Sequence, residues 1–472
     1  MFKRFHKQLL ILFTISSIII LISVNLAIAK KKQTEGTVWD VYPEMSREEI
    51  QAVVNGATDG DTIYFHAGTY DFSDAPIVPR YANEGAINII DKSLIIKGEK
   101  GTIIKGRESE NGAGLYAKGL NAFHVRDSDA TRDVTFDGLT IQIFMRGIAV
   151  WNNVVIEPLV NEYCLPSMRN VTVKNCTFSD IHRDAISIAN VRGDILTQNN
   201  DISTDRGGMY ISWYNSKDHQ DWQPEDTFVH VLENKINTGR WGLVILSSTN
   251  FVVKQNSIDC ERFGILNSGA RKGTVISSNS LFNSRWGVYI SGWWEDGIKI
   301  EAEGAVIEKN KLFNMTRMGI LIDEDASSGH TVSKNEINMA PNSFAGIYTE
   351  AHDNYYGQNK IKGSGLTAFW LGWKGYFDEN GDPVIFYAAH HETLQANNVN
   401  QFLPDLCHFF LDEGTHDNLI IGSGMGHNSY IDNGENNRIT GVAPMAGGIG
   451  EELREAIKKR NEELKEAREI KF

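Results

Sequence analysis

Seven arginines stand at one recurring place in this 472-residue chain. Arg183, Arg206, Arg240, Arg262, Arg285 and Arg317 each precede a Gly or Ala by two residues, and Arg146 precedes Gly147 by one. Beyond the short apolar runs that follow, carboxylates and histidines gather: Glu295 and Asp296; Asp323, Glu324, Asp325 and His330; Glu350, His352 and Asp353; Asp412, Glu413, His416 and Asp417. Guanidinium forks bind carboxylates in two-point fashion. Paired carboxylates can act as acid and base in glycoside hydrolysis, or hold Ca²⁺ through hard oxygen ligands. A solvated acidic face is the plainer reading of the same residues.

Arginines in a row also suit a polyanion. Cleaving a uronate by β-elimination requires a neutralised carboxylate, a base for the C5 proton and help for the leaving oxygen. Arg240, Arg262 and Arg285, with Asp323 and Glu350, are the candidate catalytic residues. An arginine acting as base needs unusual local help, because its pKa is so high. Tyr210 or Tyr289 could exchange protons with a substrate. Arg183, Arg206 and Arg317 are candidate substrate contacts, as are Tyr210, Trp213, Trp241, Trp286, Tyr289, Trp293, Trp294, Tyr348 and Trp370, whose rings offer stacking faces for sugars. The alternatives are arginines tied to adjacent carboxylates (Asp184, Asp205, Glu261) and rings buried under insertions.

These residues are positioned by a repeat. Asn followed at the second place by Ile or Leu occurs at Asn200, Asn234, Asn256, Asn279, Asn310, Asn335 and Asn359, with looser copies at Asn175 and Asn397. The shortest steps are 22 to 25 residues, and the longer ones contain insertions. Each Asn follows a β-rich run such as "FVVKQN". Soon after comes a Gly-led alternating run, as in "GLVIL", "GVYI" and "GILI". Three short strands per repeat cannot bury their apolar faces alone. Stacked as a coil, each pairs in parallel with its counterparts about 4.8 Å above and below. The Asn is expected to take a left-handed backbone at a turn and to bond to the Asn of the next coil. Period-two alternation then points Ser187, Tyr210, Val244, Leu266, Tyr289, Leu321, Tyr348, Trp370 and Phe410 outward. Stacked arginines repel by about 0.9 kcal/mol per neighbour in water, or about 3.5 kcal/mol at an effective dielectric of about 20, so something must compensate.

This pattern, together with "IQAVVNGATDGDTIYFHAGTY" (residues 50–70), resembles the right-handed parallel β-helix of pectate lyase-like proteins. The resemblance implies an all-β single-chain solenoid with an N-terminal capping helix. It places the Gly-led strand along a substrate groove with the arginines at its lip. In similar enzymes Ca²⁺ or basic side chains neutralise the uronate and Arg or Lys removes the proton, so Ca²⁺ is the one cofactor expected. The chain departs from the catalytic words of the family: it lacks a polygalacturonase-like Asn-Thr-Asp, Asp-Asp, Gly-His-Gly and Arg-Ile-Lys set, a Trp-Ile-Asp-His word, and the Asp-Pro-His-Asp of alginate epimerases. "DENGD" (378–382) has Pro383 in place of the glycine of a Ca²⁺ loop and reads as a polar turn.

The organisation follows. Residues 1–29 read as a signal peptide or signal anchor, with Lys3, Arg4 and Lys7 before an apolar run and "AIA" at 27–29. Residues 38–440 form the β-helix, 441–450 a linker and 451–472 a charged helix with a narrow apolar stripe. Loss of the leader's three cations takes the formal net charge from −14 to −17, which disfavours nucleic acid. Apart from an N-terminal anchor, no membrane contact is expected. Cys164, Cys176, Cys260 and Cys407 fit no metal spacing and read as separate buried thiols or as pairing partners. Three functions fit an exported β-helix: a polysaccharide-active enzyme on an acidic glycan, most simply a lyase and otherwise a hydrolase; a non-catalytic binder of envelope glycans; and an accessory protein like the copper-associated periplasmic β-helix proteins. The last expects clustered ligands, whereas the 13 His and 10 Met are scattered along the sequence.

Overall fold

A computed structural model describes residues 36–75, 84–107, 120–154, 163–165, 167–213, 227–246, 250–295, 298–300, 302–323, 327–341, 343–363, 365–377, 383–400, 408–422 and 429–444. Nearly all strands fall into three parallel sheets of 15, 12 and 14 strands, visited in that order by each turn of chain. The result is a right-handed parallel β-helix. Its interior is one continuous apolar column, from Val41 and Ile50 to Leu411 and Ile420.

The Asn positions build the corner between the first and second sheets. From Asn200 through Asn234, Asn256, Asn279, Asn310, Asn335 and Asn359 to Asn397, each Nδ2 donates to Oδ1 of the next at 2.9–3.0 Å. The same Oδ1 also accepts from the preceding Asn backbone N–H, as between Asn256 and Asn279. Every rung is buried, so its polar atoms need these partners. One expectation is corrected. The left-handed residue is not the ladder Asn but the one before it: Asn199, Glu233, Gln255, Ser278, Lys309, Lys334, Gln358 and Ala396 all have φ between 53° and 58°. The side chain that bonds inward and the backbone that reverses are two adjacent residues.

The glycine that opens each third-sheet strand is needed for packing. A Cβ on Gly242 would lie 2.2 Å from Ile258 Cγ2 and 2.7 Å from the Gly264 carbonyl oxygen. A Cβ on Gly264 would meet Leu281 Cδ2 at 2.2 Å. The second-sheet residue packed inside the next coil fills that space.

The helix Arg47–Gly56 closes the N-terminal end, burying Ile50 and Val54. Ser46 accepts from the Glu49 N–H while Glu49 accepts from the Ser46 N–H, a capping box. In the "GDT" word, Asp61 accepts from Thr37 N, Trp39 Nε1 and both Thr58 donors. These bonds, the Thr58 N–H first, hold its carboxyl down at about 2. The last described strand, Ala443–Pro444, pairs with Ser429–Asp432, so the solenoid extends into the segment read as a linker. Residues 1–35 and 451–472 lie outside the described residues. Among those described, no helix is long and apolar enough to cross a membrane.

Cys176 and Cys260 are unpaired and buried, and burial pushes their thiols up to about 12 and about 11. The Cys164 side chain and Cys407 lie outside the described residues.

Candidate functional site

The third sheet has two faces. Ile186, Met209, Leu243, Ile265, Val288, Ile320 and Ile347 point into the coil. The opposite face holds two columns in register. One runs Asn121, Arg146, Asp184, Gly207, Trp241, Phe263, Trp286, Met318, Ala345 and Thr367. The other runs Asn88, His124, Ala149, Ser187, Tyr210, Val244, Leu266, Tyr289, Leu321, Tyr348, Trp370 and Phe410. The outward alignment read from the repeat is thus realised.

The exposure expected for those rings is not. Trp241, Trp286, Tyr289, Tyr348 and Trp370 are at most 5% exposed and belong, with Phe263, Leu321 and Phe410, to a second hydrophobic cluster outside the coil. Phe263 stacks on Trp286 at 4.8 Å, and Trp370 meets Tyr348 and Phe410 edge to face. Of the outward aromatics, Tyr210 is half-buried. Trp213 is corrected further: it belongs to the interior core, where its Nε1 donates to the Val191 carbonyl. The side chains of Trp293 and Trp294 lie outside the described residues. Each apolar outward ring gains stability by adding to a neighbour in the next coil, which is why the face is not an open stacking surface.

The arginines form a column at the N-terminal edge of the sheet. Backbone bonds link Arg183 to Gly207, Arg206 to Arg240, Arg240 to Arg262 and Arg285 to Arg317, while between the two middle coils Arg285 N–H donates to the Glu261 carbonyl and Trp286 N–H to the Arg262 carbonyl. Three of them lie over aromatic rings. Arg206 lies over Trp241 (4.8 Å), Arg262 over Phe263 (5.5 Å) and Arg317 over Phe344 (5.3 Å). Arg183 pairs with Asp184 at 3.2 Å. Asp205 turns to His182 at 3.3 Å instead. Arg240 and Arg285, on the intervening coils, are exposed and make no ion pair with a described residue. Guanidinium groups that rest on rings thus alternate with groups open to solvent.

The carboxylates collect at the other edge. Tyr289 Oη donates to Asp323 Oδ2 (2.5 Å), Tyr348 Oη to Glu350 Oε1 (2.6 Å) and Trp370 Nε1 to Asp412 Oδ2 (3.3 Å). All three acids are buried. Gly372 sits between the Glu350 and Asp412 coils, and a Cβ there would lie 2.4 Å from Tyr348 Oη. Arg317 and Asp323 stand at the two ends of one strand, six residues or about 20 Å apart. The structure therefore does not bring Arg240, Arg262 and Arg285 together with Asp323 and Glu350. They flank the same face from opposite sides.

At the N-terminal coils this face is polar. Arg146 is buried beside Asp184 (3.7 Å) and over Trp151 (4.5 Å). His124 is fully buried, its Nε2 3.1 Å from the Trp151 carbonyl, and burial lowers its pKa to about 4.

Two features escaped the sequence reading. Glu392 replaces Asn in a second ladder at the corner between the third and first sheets. It accepts from Asn354 N and Nδ2 and from Thr349 Oγ1, while its own N–H donates to Asn418 Oδ1. Burial pushes its carboxyl up to about 8, against those hydrogen bonds. At the same corner His352, His390 and His416, scattered along the chain, form a continuous ring stack. His-Asp spacing was the available signal, at His352-Asp353 and His416-Asp417. Among the described residues no group of three or more His, Cys, Asp or Glu could hold a metal ion. The "DENGD" segment lies outside the described residues.

A solved structure that matches over most of both chains decides the fold. The mannuronan C-5 epimerase AlgE6 A-module of Azotobacter vinelandii matches with a TM-score of 0.50 at 15% identity, over 85% of this chain and 95% of that one. The chain has a right-handed parallel β-helix fold. The β-helix also matches DFA-IIIase from Arthrobacter chlorophenolicus without its lid (TM-score 0.47, 14% identity, 86% and 99% covered). A third match is the surface adhesin PfbA of Streptococcus pneumoniae (0.40, 15%, 73% and 92%). A family model described as periplasmic copper-binding protein (NosD) matches residues 242–445. Comparison with curated proteins gives no match.

Proposed function

We propose that this β-helix is an exported protein that binds an acidic polysaccharide along its arginine edge. The observation that carries this is the arginine column, in which Arg240 and Arg285 stay exposed and make no ion pair with a described residue, on a chain of formal net charge −14. A protein so acidic gains no solubility from aligned cations. An extended polyanion matches groups repeated every coil. The word "periplasmic" in the matching family's description and the leader-like residues 1–29 support export. The name of the AlgE6 module, a mannuronan C-5 epimerase, supports a uronate polymer as the glycan class.

The finer reading is cleavage by β-elimination. Tyr210, the outward phenol that is only half-buried, suits proton exchange at C5 or at the leaving oxygen. Ca²⁺ or the arginines would neutralise the uronate carboxylate. Incubation of the purified protein with pectate, alginate and glycosaminoglycans tests both levels. Rising absorbance of unsaturated uronates and falling viscosity mark a lyase. Retardation in a glycan-containing gel without new absorbance marks a binder. Absence of retardation with every acidic glycan at low salt removes the proposal.

A further inference from the structure

The two ends of the solenoid differ. At the N-terminal end the helix Arg47–Gly56 closes the coil, with Ile50 and Val54 buried beneath it. At the C-terminal end the apolar columns run out into partly exposed residues. In the first sheet the inward column passes from buried Leu394 and Ile420 to Ile439, which is half-buried. In the third sheet it passes from buried Phe369 and Phe409 to half-buried Tyr430. The outward column ends alike, with buried Trp370 and Phe410 followed by half-buried Ile431. Val442 is also only half-buried against the core, and Ile421 is 37% exposed. Among the described residues the second sheet stops at Asn398–Asn400, while the first and third go on to Arg438–Thr440 and Ala443–Pro444.

A terminal coil has no neighbour to bury its apolar face, so a solenoid needs a cap there. Its last strands also present backbone groups that can recruit another chain. The described chain leaves this end at Pro444, and the sequence that follows has the properties of a cover. Residues 445–450, "MAGGIG", span at most about 20 Å when extended. Residues 451–472 lie outside the described residues, but their sequence reads as a helix with Leu453, Ile457, Leu464 and Ala467 on one stripe. As a helix they would be about 33 Å long, against about 15 Å for the ten residues that close the other end. Arg460 falls within the stripe, three residues after Ile457. Exposed carboxylates, Asp432 and Glu435, stand at the same end of the solenoid. A single helix with so narrow a stripe is marginal in water and needs a surface to form on.

We propose that residues 451–472 fold back as the second cap of this solenoid. Leu453 and Ile457 cover Tyr430, Ile439 and Val442, and Arg460 turns to Asp432 and Glu435. The cap completes the apolar column and denies the edges of the last strands to a second copy of the chain.

Hydrogen exchange of the full chain, followed by mass spectrometry with light scattering for the molecular mass, tests this. In the wild-type monomer the amides of 455–472 should exchange about 100-fold more slowly than those of an unstructured chain. Leu453→Glu/Ile457→Glu should abolish that protection and quicken exchange about tenfold at Leu419–Ile421 and Arg438–Thr440. Ser257–Cys260, deep in the solenoid, should keep its rate, since coils couple mainly to their neighbours. Glu462→Gln, on the side of the helix away from the stripe, should change neither region. Three results overturn the proposal. One is a wild-type tail that exchanges as an unstructured chain. Another is protection that grows with protein concentration as the mass doubles, which marks a two-helix contact between copies. The third is a double variant whose tail is freed while the last coils keep their wild-type exchange.

Discussion

The phenol of Tyr289 and the carboxylate of Asp323 belong to adjacent coils and are joined by a 2.5 Å hydrogen bond that is closed off from solvent. Tyr289 pairs with Leu321, two residues before Asp323, so the stacking of coils alone makes the contact. Tyr289→Phe removes the donor and leaves one oxygen of a buried acid short of a partner. The expected loss of stability is about 1–3 kcal/mol, read from denaturant midpoints. If the protein cleaves glycans, turnover should fall no further than this fold defect accounts for, because the buried phenol does not reach the glycan. A larger loss of rate would place Tyr289 in the chemistry.

Arg240 and Arg285 are the column's solvent-facing members. Replacing both with Ala should leave the melting temperature within about 2 °C, since exposed residues contribute little to stability. Retention on pectate or alginate gels should drop about tenfold at low salt, and the wild-type retention itself should weaken as salt rises. Equal retention by the variant would show that the edge is not where the glycan lies.

Asn279 is buried within the ladder. It accepts from Asn256 N and Nδ2 and donates to the Val253 carbonyl and to Asn310 Oδ1. Asn279→Ala strands partners on both sides, and a loss of about 3 kcal/mol is expected. Because coils couple mainly to their neighbours, hydrogen exchange should quicken first at the coils around residues 253–310. Uniform loosening of the whole solenoid would contradict a ladder that acts rung by rung.

Glu392 gives a pH signature with a defined sign. Its folded-state carboxyl is raised from 4.5 to about 8 by burial, so the folded form binds more protons than the unfolded form between those values. Stability then falls as pH rises through that window. His124 and His330 act oppositely: burial holds them near 4 and near 3, against 6.5, and the stability they cost at low pH is regained by pH 6.5. Between pH 6.5 and 8 the Glu392 slope should stand clear of them, at up to about 1.4 kcal/mol per pH unit. Glu392→Gln should flatten it, which chemical denaturation at pH 6.5, 7.2 and 8 would reveal.

Gly264→Ala tests the packing account of the strand-opening glycine. The added methyl would strike Leu281 Cδ2 at 2.2 Å and the Gly287 carbonyl at 2.5 Å. Overpacking of this kind costs about 1–3 kcal/mol or more. A variant as stable as the wild type would mean that the coil spacing yields more easily than parallel pairing suggests.

The coil, the Asn ladder, the outward column from Ser187 to Phe410 and the register of the arginines were legible in the sequence, because each is a local word repeated once per turn. Parallel pairing then forces equal words into vertical contact. The ladder residue and the left-handed residue were merged in that reading, since the words alone do not separate a side chain's partner from its neighbour's backbone. Three things were decided only by the tertiary structure. The outward rings pack against one another instead of standing open, which depends on how far neighbouring side chains extend across coils. Ring faces lie under several of the arginines, because Trp241 and Phe344 reach Arg206 and Arg317 from the next coil. His352, His390 and His416 meet although 38 and 26 residues separate them. Insertions of unequal length hide that periodicity from the chain, while the corner they leave intact puts the three rings one above another.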